Sequence, residues 1–151
     1  MKAEFYILKM TVIFWFLFWG YILWCLFYPY TIFKYNILPL PVSKQTVKSG
    51  ELISYHGDYC KYVGNVGDVT HSLERKLTDK ERKQHISDMV VTFDIIRNTN
   101  LPMGCHTIDP QVPIPTGTPK GTYRIIKNIH VKMNMFRVVD LEFKSDWFQV
   151  I

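Results

Sequence analysis

Residues 121–144 read GTYRIIKNIHVKMNMFRVVDLEFK, and this stretch decides the fold of most of the chain. From Tyr123 onward, apolar and polar side chains alternate along two segments that are separated near Asn134. Alternation with a period of two is typical of a strand that buries one face and exposes the other. Asn is common where a chain reverses direction. The stretch therefore predicts two antiparallel strands joined by a turn at Asn134.

The same alternation occurs in two earlier segments, residues 51–62 and 89–96. The apolar side chains that share one face are Ile53, Tyr55 and Tyr59 in the first segment and Met89, Val91, Phe93 and Ile95 in the second. Between the segments, Thr78-Asp79-Lys80-Glu81 is a capping-box pattern and predicts one or two turns of surface helix. The proline-rich residues 98–120 predict a long loop with a short strand near Cys105.

About six or seven short strands within residues 45–151 predict a mainly β fold, an antiparallel immunoglobulin-like β-sandwich with one short surface helix. Tyr123 sharpens this expectation, because it follows a Pro-Lys-Gly turn and precedes the last two strands. A tyrosine at that place in immunoglobulin-like domains hydrogen-bonds backwards along the chain. Position 125, where antibody domains have a core cysteine, is Ile. The segment thus resembles the broader immunoglobulin-like or fibronectin-like architecture.

Toward the N-terminus, residues 10–33 contain no Asp, Glu, Lys or Arg. A helix needs about 20 apolar residues to cross the hydrocarbon core of a bilayer, and this run supplies them. Pro29 is expected to end the helix near Tyr28, because proline lacks an N–H group, so the helix should begin near Phe5. The aromatic side chains Trp15, Trp19, Trp24 and Tyr28 belong to this predicted membrane anchor.

Two other interpretations of the apolar run fit less well. A buried core helix would carry polar residues on one face, and a cleaved signal peptide would have small residues at a cleavage site. The sequence shows neither pattern. We therefore expect three parts: an anchor helix over residues 1–35, a Pro-containing linker over 36–44 and a β-sandwich domain over 45–151.

Two cysteines, Cys60 and Cys105, lie in the predicted domain and are candidates for a disulfide; separate buried thiols are the alternative. The bond would close a loop of about 45 residues, and disulfides persist in oxidising compartments. The flanking lysines do not decide the orientation of the anchor. The cysteine pair favours a single-pass membrane protein with a cytoplasmic N-terminus and a periplasmic or extracellular domain.

Motifs for catalysis, phosphate binding or metal binding are absent from the sequence, so we predict no catalytic residue, no cofactor and no metal site. Soft or borderline metal ligands do occur, at His56, Cys60, His71, Met103, Cys105, His106 and His130. Cupredoxins are also β-sandwiches, but they take Cys, His and Met ligands from one loop between the last two strands. That loop here offers Met133 and Met135 alone. A redox or metal-handling domain remains an alternative.

The formal net charge is +5, and the part after residue 35 carries 15 Lys and Arg against 12 Asp and Glu, or +3. The two signs are interspersed, whereas nucleic-acid binding calls for a basic cluster. We therefore expect a lipid bilayer and a protein as partners, and no nucleic acid.

The layout also resembles small phage-encoded or bacterial single-pass membrane proteins. The likeness lies in the aromatic anchor and in residues 59–62, 104–106 and 119–123, which read YCKY, GCH and PKGTY. It implies no particular activity, although roles in envelope modification, phage exclusion or lysis would suit it. The leading hypothesis is a membrane-anchored binding module that uses strand edges or the loop over residues 98–120. A subunit of a membrane complex is a further alternative.

Overall fold

A computed structural model of the chain describes residues 2–28, 31–78, 81, 83 and 90–151. Helix α1 spans Lys2–Phe27. The strands that follow are β1 (Phe33–Tyr35), β2 (Thr46–Val47), β3 (Leu52–Ser54), β4 (Gly57–Lys61), β5 (Gly67–Arg75), β6 (Val90–Thr99), β7 (Gly104–Ile108), β8 (Gln111–Pro113), β9 (Gly121–Asn134), β10 (Arg137–Lys144) and β11 (Phe148–Val150). The mainly β prediction is confirmed, and so is the single N-terminal apolar helix.

The longest strand, β9, organises the larger sheet. On one side, β9 pairs antiparallel with β5 along nearly the whole length of β5, and β5 pairs in turn with β6. Its other side pairs with β10 and then with β11, which carries β2 in parallel at the margin. The predicted turn at Asn134 is confirmed, because β9 and β10 form a hairpin in which the Phe136 N–H donates to Asn134 Oδ1 at 2.9 Å.

A second sheet has the order β1-β4-β7, and β3 pairs with β8 as a separate ribbon. Buried side chains from both sheets form one hydrophobic core. Seven aromatic side chains lie in it. Four of these form a cluster, in which the ring centroids are 5.0 Å apart for Phe33 and Tyr59 and 4.8 Å apart for Tyr35 and Phe143. Gly57 leaves room for this cluster, because a Cβ atom there would lie 2.8 Å from the Tyr35 ring.

The boundary between anchor and domain differs from the predicted one. Phe33 and Tyr35, assigned to the anchor segment, form strand β1 against β4 and are buried in the core. Leu40, assigned to the linker, is also buried and bridges to Ser145. The reason is that these apolar side chains complete the aromatic core of the domain. The prolines that suggested a linker lie in a bent segment that is tied to the body, where the His56 N–H donates to the Pro41 carbonyl oxygen at 2.8 Å.

The loop predicted over residues 98–120 contains two short strands, β7 and β8, the first of which includes Cys105 as expected. At the predicted capping box, the N–H and hydroxyl groups of Thr78 donate to the Glu81 carboxylate at 2.8 and 2.7 Å. The helix expected to follow falls mostly on residues outside the described ranges.

Candidate functional site

Strand β6 forms one margin of the larger sheet, and in the described part of the chain no strand pairs with its outer edge. Val91 and Ile96 pair in register with Leu73 and Val69, two buried core residues. Directly opposed residues share a face of a sheet, so Val91 and Ile96 lie on the core-facing side. They are nevertheless 42% and 46% exposed. The core is therefore open to solvent along β6.

The sequence pattern placed Val91, Phe93 and Ile95 together on one buried face. In the structure the register skips Phe93, which is a bulge, and Ile95 lies 58% exposed on the other face. A bulge inserts one extra residue and thereby exchanges the faces of the residues on either side. Met89, the fourth residue of that pattern, lies outside the described residues.

A cavity of about 230 Å³ lies beside the open margin. Val91 and Leu73 line one side of it, and residues 115–119 of the loop before β9 line the other. Most of its lining is apolar, with hydroxyl groups from the loop. The open edge of β6 and this cavity form one continuous surface, which we call the β6 surface.

A buried polar chain fastens β6 to the core. Asp94 on β6 lies 2.9 Å from His71 Nδ1, and His71 Nε2 lies 3.0 Å from the Tyr55 hydroxyl. Burial lowers the pKa of His71, against the opposing effect of Asp94, so the ring is neutral near pH 7. A carboxylate accepts only, so Nδ1 carries the proton and Nε2 accepts from the Tyr55 hydroxyl.

Lys127 is a second buried polar group, beside the Tyr55 ring in the core. It is 3% exposed, and its Nζ donates to the Tyr35 hydroxyl at 2.8 Å. The same amino group lies 5.4 Å and 5.6 Å from the ring centroids of Tyr35 and Tyr55. Burial lowers the pKa of Lys127 to about 8. The sequence interpretation passed over Lys127, although the spacing from Ile125 and Ile129 puts it on the buried face.

An acid, a histidine and a hydroxyl in a row resemble a nucleophilic relay, but the geometry does not support catalysis. Tyr55 is 1% exposed, and burial raises the pKa of its hydroxyl far above the ordinary range. The cavity beside β6 is lined by other residues. The chain of contacts therefore holds β6 against the core and presents no reactive group to solvent.

The candidate metal ligands are distributed over separate partners. His56 contacts Asp109 at 2.8 Å, His106 contacts the Met103 carbonyl at 2.8 Å, and His130 contacts Asp140 at 2.6 Å. The described residues include no group of three or more His, Cys, Asp or Glu side chains that could hold a metal ion. Cys60 and Cys105 form a disulfide, as predicted, at directly opposed positions of β4 and β7.

Tyr123 occupies the start of β9 and is buried. Its hydroxyl donates backwards to the Pro119 carbonyl at 2.9 Å, which fixes the loop that lines the cavity beside β6. The wider immunoglobulin-like arrangement stays a prediction.

Trp15, Trp19 and Trp24 lie on α1, and Tyr28 follows its last residue. The segment Tyr6–Phe27 of α1 is long and apolar enough to cross a membrane. Trp15, Trp19, Trp24 and Tyr28 are all more than half exposed. Pro29 lies outside the described residues. The last turn of the helix contacts the body, because the Asn134 side-chain amide donates to the Cys25 carbonyl oxygen at 2.7 Å. This contact satisfies one of the carbonyls that a helix leaves unpaired at its C-terminus.

No protein family model and no curated protein matches the chain. Solved structures resemble it at low identity. The sporulation control protein Spo0M from Bacillus subtilis is 16% identical, with a TM-score of 0.47 over 80% of this chain and 49% of that one. The alkylpurine DNA glycosylase AlkC from Pseudomonas fluorescens, solved with DNA, is 14% identical, with a TM-score of 0.42 over 79% of this chain and 30% of that one. The chain thus spans about half or less of either protein.

Proposed function

We propose that the chain is a membrane-anchored, extracytoplasmic binding module that takes an extended segment of a partner protein at the β6 surface. The observation that carries this proposal is the exposure of Val91 and Ile96 on the core-facing side of an unpaired edge. A partner strand added at β6 would pair with the outer edge, which no strand in the described residues occupies, and would cover the open margin of the core. Strand addition of this kind is a common mode of peptide recognition.

A comparison with β10, which also has an outer edge in the larger sheet, explains why β6 is favoured. Strand β10 alternates its apolar residues with Asp140, Glu142 and Lys144. Charged side chains on an edge discourage pairing with another chain. Four of the eight residues of β10 are charged, against two of the ten residues of β6. An edge strand of ten residues with exposed apolar side chains is a liability unless a partner covers it.

The membrane and compartment parts of the proposal have separate support. Helix α1 has the length and hydropathy of a membrane span. The Cys60–Cys105 disulfide favours an oxidising compartment for the body, since cytosolic thiols are kept reduced. Together they favour a cytoplasmic N-terminus.

Site-specific photocrosslinking in the native membrane tests the binding surface. A benzophenone amino acid at Arg97, on β6, should give an adduct of defined mass, and one at Glu142, on β10, should not. Ile96→Lys should abolish the adduct, because it places a charge on the surface that the partner would cover. Leu52→Lys is the matched control, since Leu52 is exposed to a similar extent, 50% against 46%, on strand β3.

Equal adducts from both positions, or an adduct that survives Ile96→Lys, would contradict recognition at β6. An adduct of twice the mass of the chain would show that β6 pairs with a second copy, and would contradict a different protein as the partner.

A further inference from the structure

We infer that the tip of the β9–β10 hairpin, Met135 and Phe136, inserts into the lipid bilayer beside the end of α1. The body of the protein would then be held on the membrane at two points, the helix and the hairpin. This inference rests on the proposed membrane anchoring, and it adds a lipid-binding surface that the anchor alone does not require.

The position of the tip comes from one hydrogen bond. Asn134, the last residue of β9, donates to the carbonyl oxygen of Cys25, which lies two residues before the end of α1. The 22 residues of the apolar segment would span about 33 Å at 1.5 Å per residue, close to the thickness of the hydrocarbon core. The Cys25 carbonyl therefore lies at the edge of that core. The hairpin tip begins one residue beyond Asn134.

The chemistry of the tip suits a membrane interface. Met135 is 80% exposed and Phe136 is 51% exposed, although both are large apolar side chains at a turn. Val138, which follows on β10, is 50% exposed. Lys132 and Arg137 flank the tip with positive charge. Exposed apolar side chains bordered by basic ones match the boundary between acyl chains and anionic headgroups.

A tyrosine-rich surface joins the tip to the helix. A cavity of about 320 Å³ lies between α1 and the body. Tyr21 on the helix and Tyr28 just after it line this cavity together with Tyr62, Met133 and Asn134 on the body. Tyr62 is 52% exposed and Tyr28 is 60% exposed. Tyrosine is enriched at the membrane–water interface, where its ring and hydroxyl each find a suitable environment. The helix end, the tyrosines and the hairpin tip thus form one continuous surface that faces the same layer of lipid.

Spin labelling of the full chain in nanodiscs of phosphatidylcholine and phosphatidylglycerol tests this inference, and nanodiscs expose both faces of the bilayer. The labels are placed at Met135→Cys in the tip, at Thr116→Cys in the loop before β9 and at Phe16→Cys in the middle of α1. The background is Cys25→Ser, because Cys60 and Cys105 are disulfide-bonded. Collisions with oxygen, which enters lipid, are compared with collisions with a water-soluble nickel chelate.

We expect the oxygen-to-nickel collision ratio at position 135 to be several-fold higher than at position 116 and to approach the ratio at position 16. A ratio at position 135 equal to that at 116, with a high ratio at 16, would overturn hairpin insertion and leave the anchoring intact. A low ratio at 16 would overturn the anchoring itself. Few collisions with either reagent at 135 would mean that protein covers the tip, and would also overturn the inference. The circular dichroism spectrum of each labelled chain shows whether the strands remain formed.

Discussion

Burial of Lys127 should make the free energy of unfolding depend on pH. Its amino group is buried with the Tyr35 hydroxyl as its hydrogen-bond partner, and burial lowers its pKa to about 8. In the unfolded chain the pKa of lysine is about 10.4. Between these two values the unfolded chain binds more protons than the folded chain, so stability rises with pH in that window. Below pH 8 both states are protonated, and the folded state bears the full cost of the buried charge.

Replacement of the buried amine should therefore stabilise the protein at neutral pH. We expect Lys127→Met to raise the free energy of unfolding at pH 7 by roughly 1–4 kcal/mol, the range seen when apolar side chains replace buried ion pairs. The variant should also lose the rise in stability between pH 8 and 10. Urea unfolding of the full chain in detergent micelles, followed by circular dichroism of the strands, measures both effects.

The matched control for this prediction lies on the same strand. Lys132 is exposed, so Lys132→Met should leave both the stability and its pH dependence nearly unchanged. A loss of stability in Lys127→Met at pH 7 would show that the contacts of the ammonium group with Tyr35 and the two rings outweigh its desolvation.

At the level of residues, the sequence predicted the Cys60–Cys105 disulfide and the reversal at Asn134. It also contained the signal for Lys127, because positions 125, 127 and 129 share one face of a strand. Lysine side chains are usually exposed, which favoured a solvent-facing position for Lys127, but the structure buries it. Burial of this lysine depends on Tyr35, which lies 92 residues away in the chain and forms the hydrogen bond.

Among the elements, strands with regular alternation could be predicted, and strands shaped by their neighbours could not. The hairpin of β9 and β10 follows from local pattern alone. The exposure of β6 does not, because the bulge at Phe93 arises from pairing with β5 and exchanges the faces after it. Since the β6 surface depends on that bulge, the candidate site lay beyond sequence reasoning, although strand edges were expected to carry recognition.

The disulfide should help to hold strand β7 against β4. It pairs with β4 and is largely exposed, and the Cys60–Cys105 disulfide joins the two strands at directly opposed positions. We expect the double variant Cys60→Ala/Cys105→Ala to lose roughly 4 kcal/mol of stability, the value that chain entropy gives for a loop of this length. Faster hydrogen exchange of the β7 backbone amides, with little change in β9, would show local detachment. Cys25→Ser is the control and should leave the exchange of β7 unchanged.

An unchanged exchange rate in β7 of the double variant would mean that its backbone pairing with β4 holds the strand without the covalent link.

For the molecule as a whole, the mainly β body and the apolar helix were predictable, and the point where they meet was not. Phe33, Tyr35 and Leu40 belong to the core of the body although they follow the helix closely. Composition cannot separate the end of an apolar anchor from an apolar core strand, because both consist of large hydrophobic residues. Contacts with β4 and with the end of β10, which form only when the chain folds, decide the boundary.

Truncation tests this boundary. A fragment of residues 45–151, the domain as the sequence outlined it, lacks Phe33, Tyr35 and Leu40 and should not fold. Removal of one buried large side chain costs about 2–5 kcal/mol, so three such losses match the whole stability of a typical domain, about 5–15 kcal/mol. A fragment of residues 31–151 should give a strand spectrum and a cooperative thermal transition. Equal transitions in the two fragments would mean that β1 is dispensable.

The contact between Asn134 and the Cys25 carbonyl has a consequence for how partners meet the protein. Residues 28–32 alone separate α1 from β1, so the body has no long tether. In an anchored molecule the β6 surface stays within a layer of roughly 45 Å next to the bilayer, the length of β9 at about 3.3 Å per residue. A partner in the same membrane shares that layer, and confinement raises the effective concentration at which the two surfaces collide. A weak contact then suffices for a membrane-bound partner and fails for a dissolved one. The short junction would thus favour membrane-bound partners over dissolved ones through geometry alone, without any side chain that recognises the difference.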